Sequence, residues 1–164
     1  MTQAEAFWAE LQQEAKATKA ILESVPADKA DWKPHEKSMS LGRLAAHVGE
    51  IPGWFKETLL QDELDFATSA YKPFKASTQE ELLAHFEKNM EAAREVLSGY
   101  PDEKMAEPWT MRHGENIFFT LPKGVVARTW CLNHLYHHRA QLGVYLRLLD
   151  VPVPSTYGGS ADSQ

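Results

Sequence analysis

The chain has 164 residues, 43% apolar and 10% aromatic, with nine glycines and nine prolines, which fits one domain with its own core and excludes disordered, collagen-like and coiled-coil chains. Lys and Arg number 17 against 23 Asp and Glu, a net charge of −6, and the basic residues are scattered singly, so no cationic face invites nucleic acid. The lone Cys131 excludes an internal disulfide framework and a cysteine-built zinc finger.

The first predicted element is a helix over about residues 2–24. Phe7, Leu11, Ala15, Thr18 and Leu22 recur at three- and four-residue steps and form one stripe. Val25-Pro26 ends it, since proline disfavours helix in the residue before it. A second helix opens at Ser38-Met39-Ser40, where a serine can cap free backbone N–H groups. Leu41, Leu44, Val48, Ile51 and Phe55 give its apolar face. Pro52 predicts a kink near Val48, with the helix resuming through Trp54 to about Leu60. A linker follows from Gln61 to Ser77.

Thr78-Gln79-Glu80-Glu81 is a capping-box signature. It starts a third helix through Leu82, Phe86, Met90, Ala93 and Leu97, stopped by Gly99 and Pro101. The stretch 109–122 is aromatic around His113-Gly114-Glu115-Asn116 and predicts a short hairpin or an irregular aromatic loop. A fourth helix covers about residues 123–149, ~40 Å at helical rise. Residues 155–164 are expected to fray. Four long helices predict an all-α fold, a four-helix bundle in one domain over residues 1–164.

No apolar run approaches the ~20 residues of a membrane span. The N-terminal stretch is charged from Glu5 onward and lacks a signal-peptide pattern. The expectation is a soluble cytoplasmic protein with no nucleic-acid or membrane partner.

The chemistry concentrates in the histidines. Within Asn133-His134-Leu135-Tyr136-His137-His138-Arg139, His134 and His138 are four apart. On a helix their rings share one face, ~6 Å apart between Cβ atoms. That pair is a bite for a transition metal, the geometry of a zinc-protease helix, although the glutamate of that motif is missing. His47 stands in the inward stripe of the second helix and supplies a third ligand. Three imidazoles from two facing helices leave room for water or substrate, an arrangement of catalytic rather than structural sites. Glu50, one turn after His47, can accept from a ring N–H. No general base is evident. The competing reading is that these are hydrogen-bonded core histidines. His137 should face elsewhere, His35 and His85 read as solvated, and His113 lies at the hairpin turn. Cys131 reads as a buried hydrophobe, with a nucleophile beside His134 as the lesser alternative.

Three stretches resemble the DinB family, also called the DinB/YfiT-like metalloenzymes. They are Leu44-Ala45-Ala46-His47-Val48-Gly49-Glu50-Ile51-Pro52-Gly53-Trp54, Asn133-His134-Leu135-Tyr136-His137-His138-Arg139-Ala140-Gln141-Leu142, and the ending Tyr145 to Gly158. The resemblance covers nearly the whole chain. It implies a bundle of up-down-down-up order with long crossovers, a metal site on His47, His134 and His138, and nickel or zinc as the divalent transition metal. It also implies a homodimer. Relatives include thiol-dependent S-transferases that use bacillithiol and a mycothiol-dependent maleylpyruvate isomerase, so a low-molecular-weight thiol is an implied cofactor. The expected function is metal-dependent thiol transfer or hydrolysis on a small molecule. The alternative is a non-catalytic, stress-related or ligand-binding bundle with a structural metal.

Overall fold

The computed structural model describes residues 1–162. Among them, four helical rods carry the main core. Helix α1, Gln3–Glu23, starts on a capping box: Thr2 Oγ1 accepts from Glu5 N at 3.1 Å, and Glu5 Oε2 accepts from Thr2 N at 2.8 Å. Its stripe of Phe7, Leu11, Thr18 and Leu22 is buried. Helix α2, Leu41–Glu50, is capped by Ser40 and gives way at Pro52 to a single 3₁₀ turn, Ile51–Gly53, before α3, Trp54–Leu60. Proline lacks the N–H that a continuous α-helix would use there, so the tighter turn absorbs the break. Helix α4, Gln79–Leu97, begins at the Thr78 cap and ends before Gly99, whose φ of 74° suits glycine.

The last rod is not one regular helix. It comprises α5, Lys123–Val126, a π-helical segment, Ala127–Asn133, and α6, His134–Leu148. The π-helical segment turns less per residue than an α-helix and so resets which face later residues present.

Specific contacts fix the directions of the rods. Lys19 meets Glu87 at 2.7 Å, and Gln79 reaches the Glu23 carbonyl, so α1 and α4 are antiparallel. Glu10 pairs with Arg128 and Glu14 with Arg139, so α1 runs parallel to the last rod. Met39 meets Tyr145, His47 meets His134 and Thr58 meets Cys131, so α2–α3 run antiparallel to the last rod. Gly49 lies against His85 and Phe86, and an added Cβ at Gly53 would strike Asn89, so α2–α3 descend beside α4 in the same direction.

The all-α expectation is corrected. Beside the helices stands a three-stranded mixed sheet in the order β1-β2-β3. The strands are β1, Glu63–Asp65, β2, Pro108–His113, and β3, Asn116–Pro122. The aromatic stretch forms a true hairpin, with Trp109 opposite Leu121 and His113 opposite Asn116. Gly114, at φ 58°, opens its two-residue loop. The unforeseen strand comes from the linker. Glu63, Leu64 and Asp65 pair in parallel with Thr110, Met111 and Arg112. Asp65 Oδ1 accepts from Gly114 N and from Ala67 N, both at 2.9 Å. Leu64 packs on a small second core of Trp109, Met111 and Val126. These bonds satisfy backbone that a free linker would leave to water.

The C-terminal stretch is tied to the bundle within the described residues. Tyr157 donates to Glu14 at 2.8 Å, and Asp162 accepts from Val153 N at 2.9 Å. Residues 163–164 lie outside them.

Candidate metal centre

His47 lies on α2 beside buried Leu44, Val48 and Ile51, so the stripe that packs the bundle carries one imidazole inward. His134 and His138 are one turn apart on α6, across from it. One ring nitrogen from each of the three lies within 4.8 Å of the other two, and His47 Nε2 is 3.1 Å from His134 Nε2. Two nitrogens bound at ~2.0–2.1 Å to one tetrahedral ion would stand ~3.3 Å apart. The cluster therefore has the chemistry and spacing to hold a metal.

The outer hydrogen bonds aim the inner nitrogens. His47 Nδ1 donates to Glu50 Oε1 at 2.6 Å, and His138 Nδ1 donates to Gln141 Oε1 at 2.7 Å. A carboxylate only accepts, so the His47 proton sits on Nδ1 and the Nε2 lone pair points inward. The two pairs share one spacing, His47-x-x-Glu50 and His138-x-x-Gln141. This repeated His-x-x-acceptor pattern is present in the sequence and is the signal that points to Gln141. Gln141 Nε2 also contacts His137 Nε2 at 3.0 Å. His137 itself is exposed.

Electrostatics favour neutral rings at His134 and His138. Burial, and then the neighbouring imidazoles of His138 and His47, push His134 down to about 4. Burial also lowers His138, against the pull of Gln141. Burial pushes the Glu50 carboxyl up, but hydrogen bonds from His47 and Tyr71 and the Arg43 charge outweigh it, so Glu50 sits below the usual carboxylate range. Neutral imidazoles beside an ionised outer carboxylate are the protonation states that a cationic metal requires.

The cluster lies in a cleft of about 1070 Å³. Trp54 and Trp130 stack at 5.3 Å and 19°, and each meets the His134 ring in a T-shaped contact, at 5.0 and 4.9 Å. Trp130 belongs to the π-helical segment, which sets the register of this wall. The linker closes one side through Tyr71. His85, expected to be solvated, is corrected: it is half-buried, stacks on Phe74 at 3.9 Å and lines the cleft. Phe74 comes from the linker, and nothing in the α4 periodicity announces that cover. His35 and His113 are exposed and outside the cluster. Cys131 is buried, with its thiol 3.7 Å from the Thr58 hydroxyl, and burial pushes it up to about 12. It is a core thiol and no nucleophile at neutral pH. Among the described residues, no helix is long and apolar enough to cross a membrane.

Among solved structures, the fold is similar to a DinB-like protein from Bacillus cereus ATCC 10987. The TM-score is 0.70 and the identity 23%, over 93% of this chain and 97% of that one. It is also similar to the DinB-like protein YjoA from Bacillus subtilis, with a TM-score of 0.69 and 16% identity over 92% and 96%. These likenesses concern the fold. No curated protein matches the chain. The family model for the DinB family matches residues 1–164 from end to end, and the chain belongs to the DinB family.

Proposed function

We propose that this protein is a metal-dependent enzyme that binds nickel or zinc through His47, His134 and His138 and acts on a small molecule by thiol transfer or hydrolysis. The observation that carries the reading is the convergence of three imidazoles in the wall of a cleft, two of them held from behind by Glu50 and Gln141. A metal bound there would supply Lewis-acid chemistry and lower the pKa of a water or a thiol. The protein's own residues do the rest. Glu50 and Gln141 hold the His47 and His138 rings in one tautomer. Trp54 and Trp130 exclude water from one side and offer flat apolar surface to a ligand. The cleft is of a size that suits a small molecule.

The three-ligand set supports catalysis over a structural ion, for which four protein ligands are expected. We further propose a cytoplasmic homodimer that uses a low-molecular-weight thiol; sedimentation at micromolar concentration tests the dimer. The test of function is direct. Zinc- or nickel-loaded protein is supplied with a small thiol and an electrophile, and thiol loss is followed beside hydrolysis of simple esters and amides. Turnover that depends on metal and vanishes in His134→Ala is the expected result. Metal binding without turnover, together with a large fall in melting temperature on chelation, would instead favour a structural ion.

A further inference from the structure

The connection between α3 and α4 reaches the histidine cluster through one hydroxyl. Tyr71 donates to Glu50 Oε1 at 2.8 Å and accepts from Arg43 Nη2 at 2.8 Å, while Arg43 Nη2 also donates to Glu50 Oε1 at 3.0 Å. The same oxygen accepts from His47 Nδ1. Glu50 thus gathers three donors on one atom. Two come from its own helix, and their spacing is fixed by helical geometry. The third arrives from 21 residues away. Among the described residues, the hydrogen bonds that tie residues 70–76 to the bundle all run through the Tyr71 hydroxyl. Tyr71 is 53% exposed, so its ring adds little to the core and its hydroxyl carries the link.

The geometry points to Tyr71 as a positioning residue that couples the linker to the metal. The inference rests on the metal-binding reading above. With Tyr71 seated, the Glu50 carboxylate is held in one rotamer, and the His47 Nε2 lone pair is aimed at the cluster. With the linker lifted, the carboxylate loses the one hydrogen bond that, among the described residues, ties it outside α2, and it can swing, so the ring behind it is held less firmly. Outer partners of metal-binding histidines are worth ~10–100-fold in metal affinity. Tyr71 acts one bond further out, so its effect belongs near the lower end of that range. Coupling is reciprocal: a metal that favours the ordered Glu50 must also favour the seated linker.

The test compares wild type with Tyr71→Phe, which keeps the ring and deletes the hydroxyl, and with Tyr71→Ala. Zinc affinity is measured by competition with a chelating dye. The cobalt absorption spectrum reports ligand geometry, and limited proteolysis within residues 66–77 is followed with and without zinc. The expected result is zinc binding several-fold to ~10-fold weaker in Tyr71→Phe, with Tyr71→Ala no more than about twofold weaker again. Zinc should also protect the linker in wild type and do so less in both variants. Equal affinity and equal protection in wild type and Tyr71→Phe would overturn the inference while leaving the metal site standing. Absence of zinc and cobalt binding in wild type would overturn the metal reading itself, and this inference with it.

Discussion

Adjacent residues on α6 turn to two unlike seams. Arg139 faces α1 and His138 faces α2, about 100° apart around the helix. On the α1 side each charge meets its opposite. Arg139 pairs with Glu14 at 2.6 Å and bonds Thr18 and Tyr157, and Arg128 grips Glu10 at 2.6 and 2.7 Å beside Tyr136. On the α2 side like meets like. Three imidazoles face one another, and Glu50 and Gln141 stand behind two of them, His47 and His138. The first seam is satisfied within itself and holds helices together. The second holds two of its rings from behind and gathers lone pairs in front, as a cation site requires. Buried polar groups therefore do not mark a site by their number. The direction in which their lone pairs are left pointing does.

The comparison breaks first at Arg139. Glu14 is 8% exposed and Arg139 is 3% exposed, so Arg139→Met strands a buried carboxylate and should cost about 3–5 kcal/mol in urea denaturation. The double variant with Glu14→Leu should recover most of that loss, because a buried pair is often replaceable by apolar packing. Metal affinity should not change in the double variant. If it falls in step with stability, the two seams are not separate. The opposite behaviour is expected at Glu50. Glu50→Gln should weaken zinc binding ~10–100-fold while leaving the melting temperature of the metal-free protein within a few degrees, as calorimetry would show.

The acid response sharpens the contrast further. His134 is held at about 4 in the fold, against ~6.5 in an unfolded chain. Between these values the unfolded chain binds more protons, so the stability tied to His134 is full above ~6.5 and is lost as pH falls toward 4. His134→Asn should flatten that part of the metal-free stability profile. The smallest effect is expected at Cys131. With its thiol near 12, native protein at pH 8 should resist a disulfide reagent over hours, and label only after unfolding.

The helices were readable because the rods carry long apolar periods, α1, α2 and α4 open on a capping side chain, and Pro52 marked its own break. The strand β1 was not readable. Three residues with one leucine have no period, and their partner strand lies over forty positions away. The π-helical segment has no composition signal either, since its difference lies in hydrogen-bond register. The histidine cluster was legible as an i, i+4 pair plus one inward imidazole. Glu14 could have been read too, for it continues the spacing of Leu11 and Thr18 in the α1 stripe, whereas Ala15 stands to one side. Tyr71 and Phe74 could not, because a linker that folds back on a site leaves no local pattern.

The central claim is that the three histidines hold a metal, and metal content tests it most directly. Protein purified without a histidine tag, as wild type and as His134→Ala, is measured by elemental analysis after incubation with zinc and nickel. The account predicts about one zinc or nickel per chain in wild type, for a three-imidazole site, and loss of that metal in the variant. A wild type that takes up neither metal, or a variant that retains as much as wild type, would contradict it.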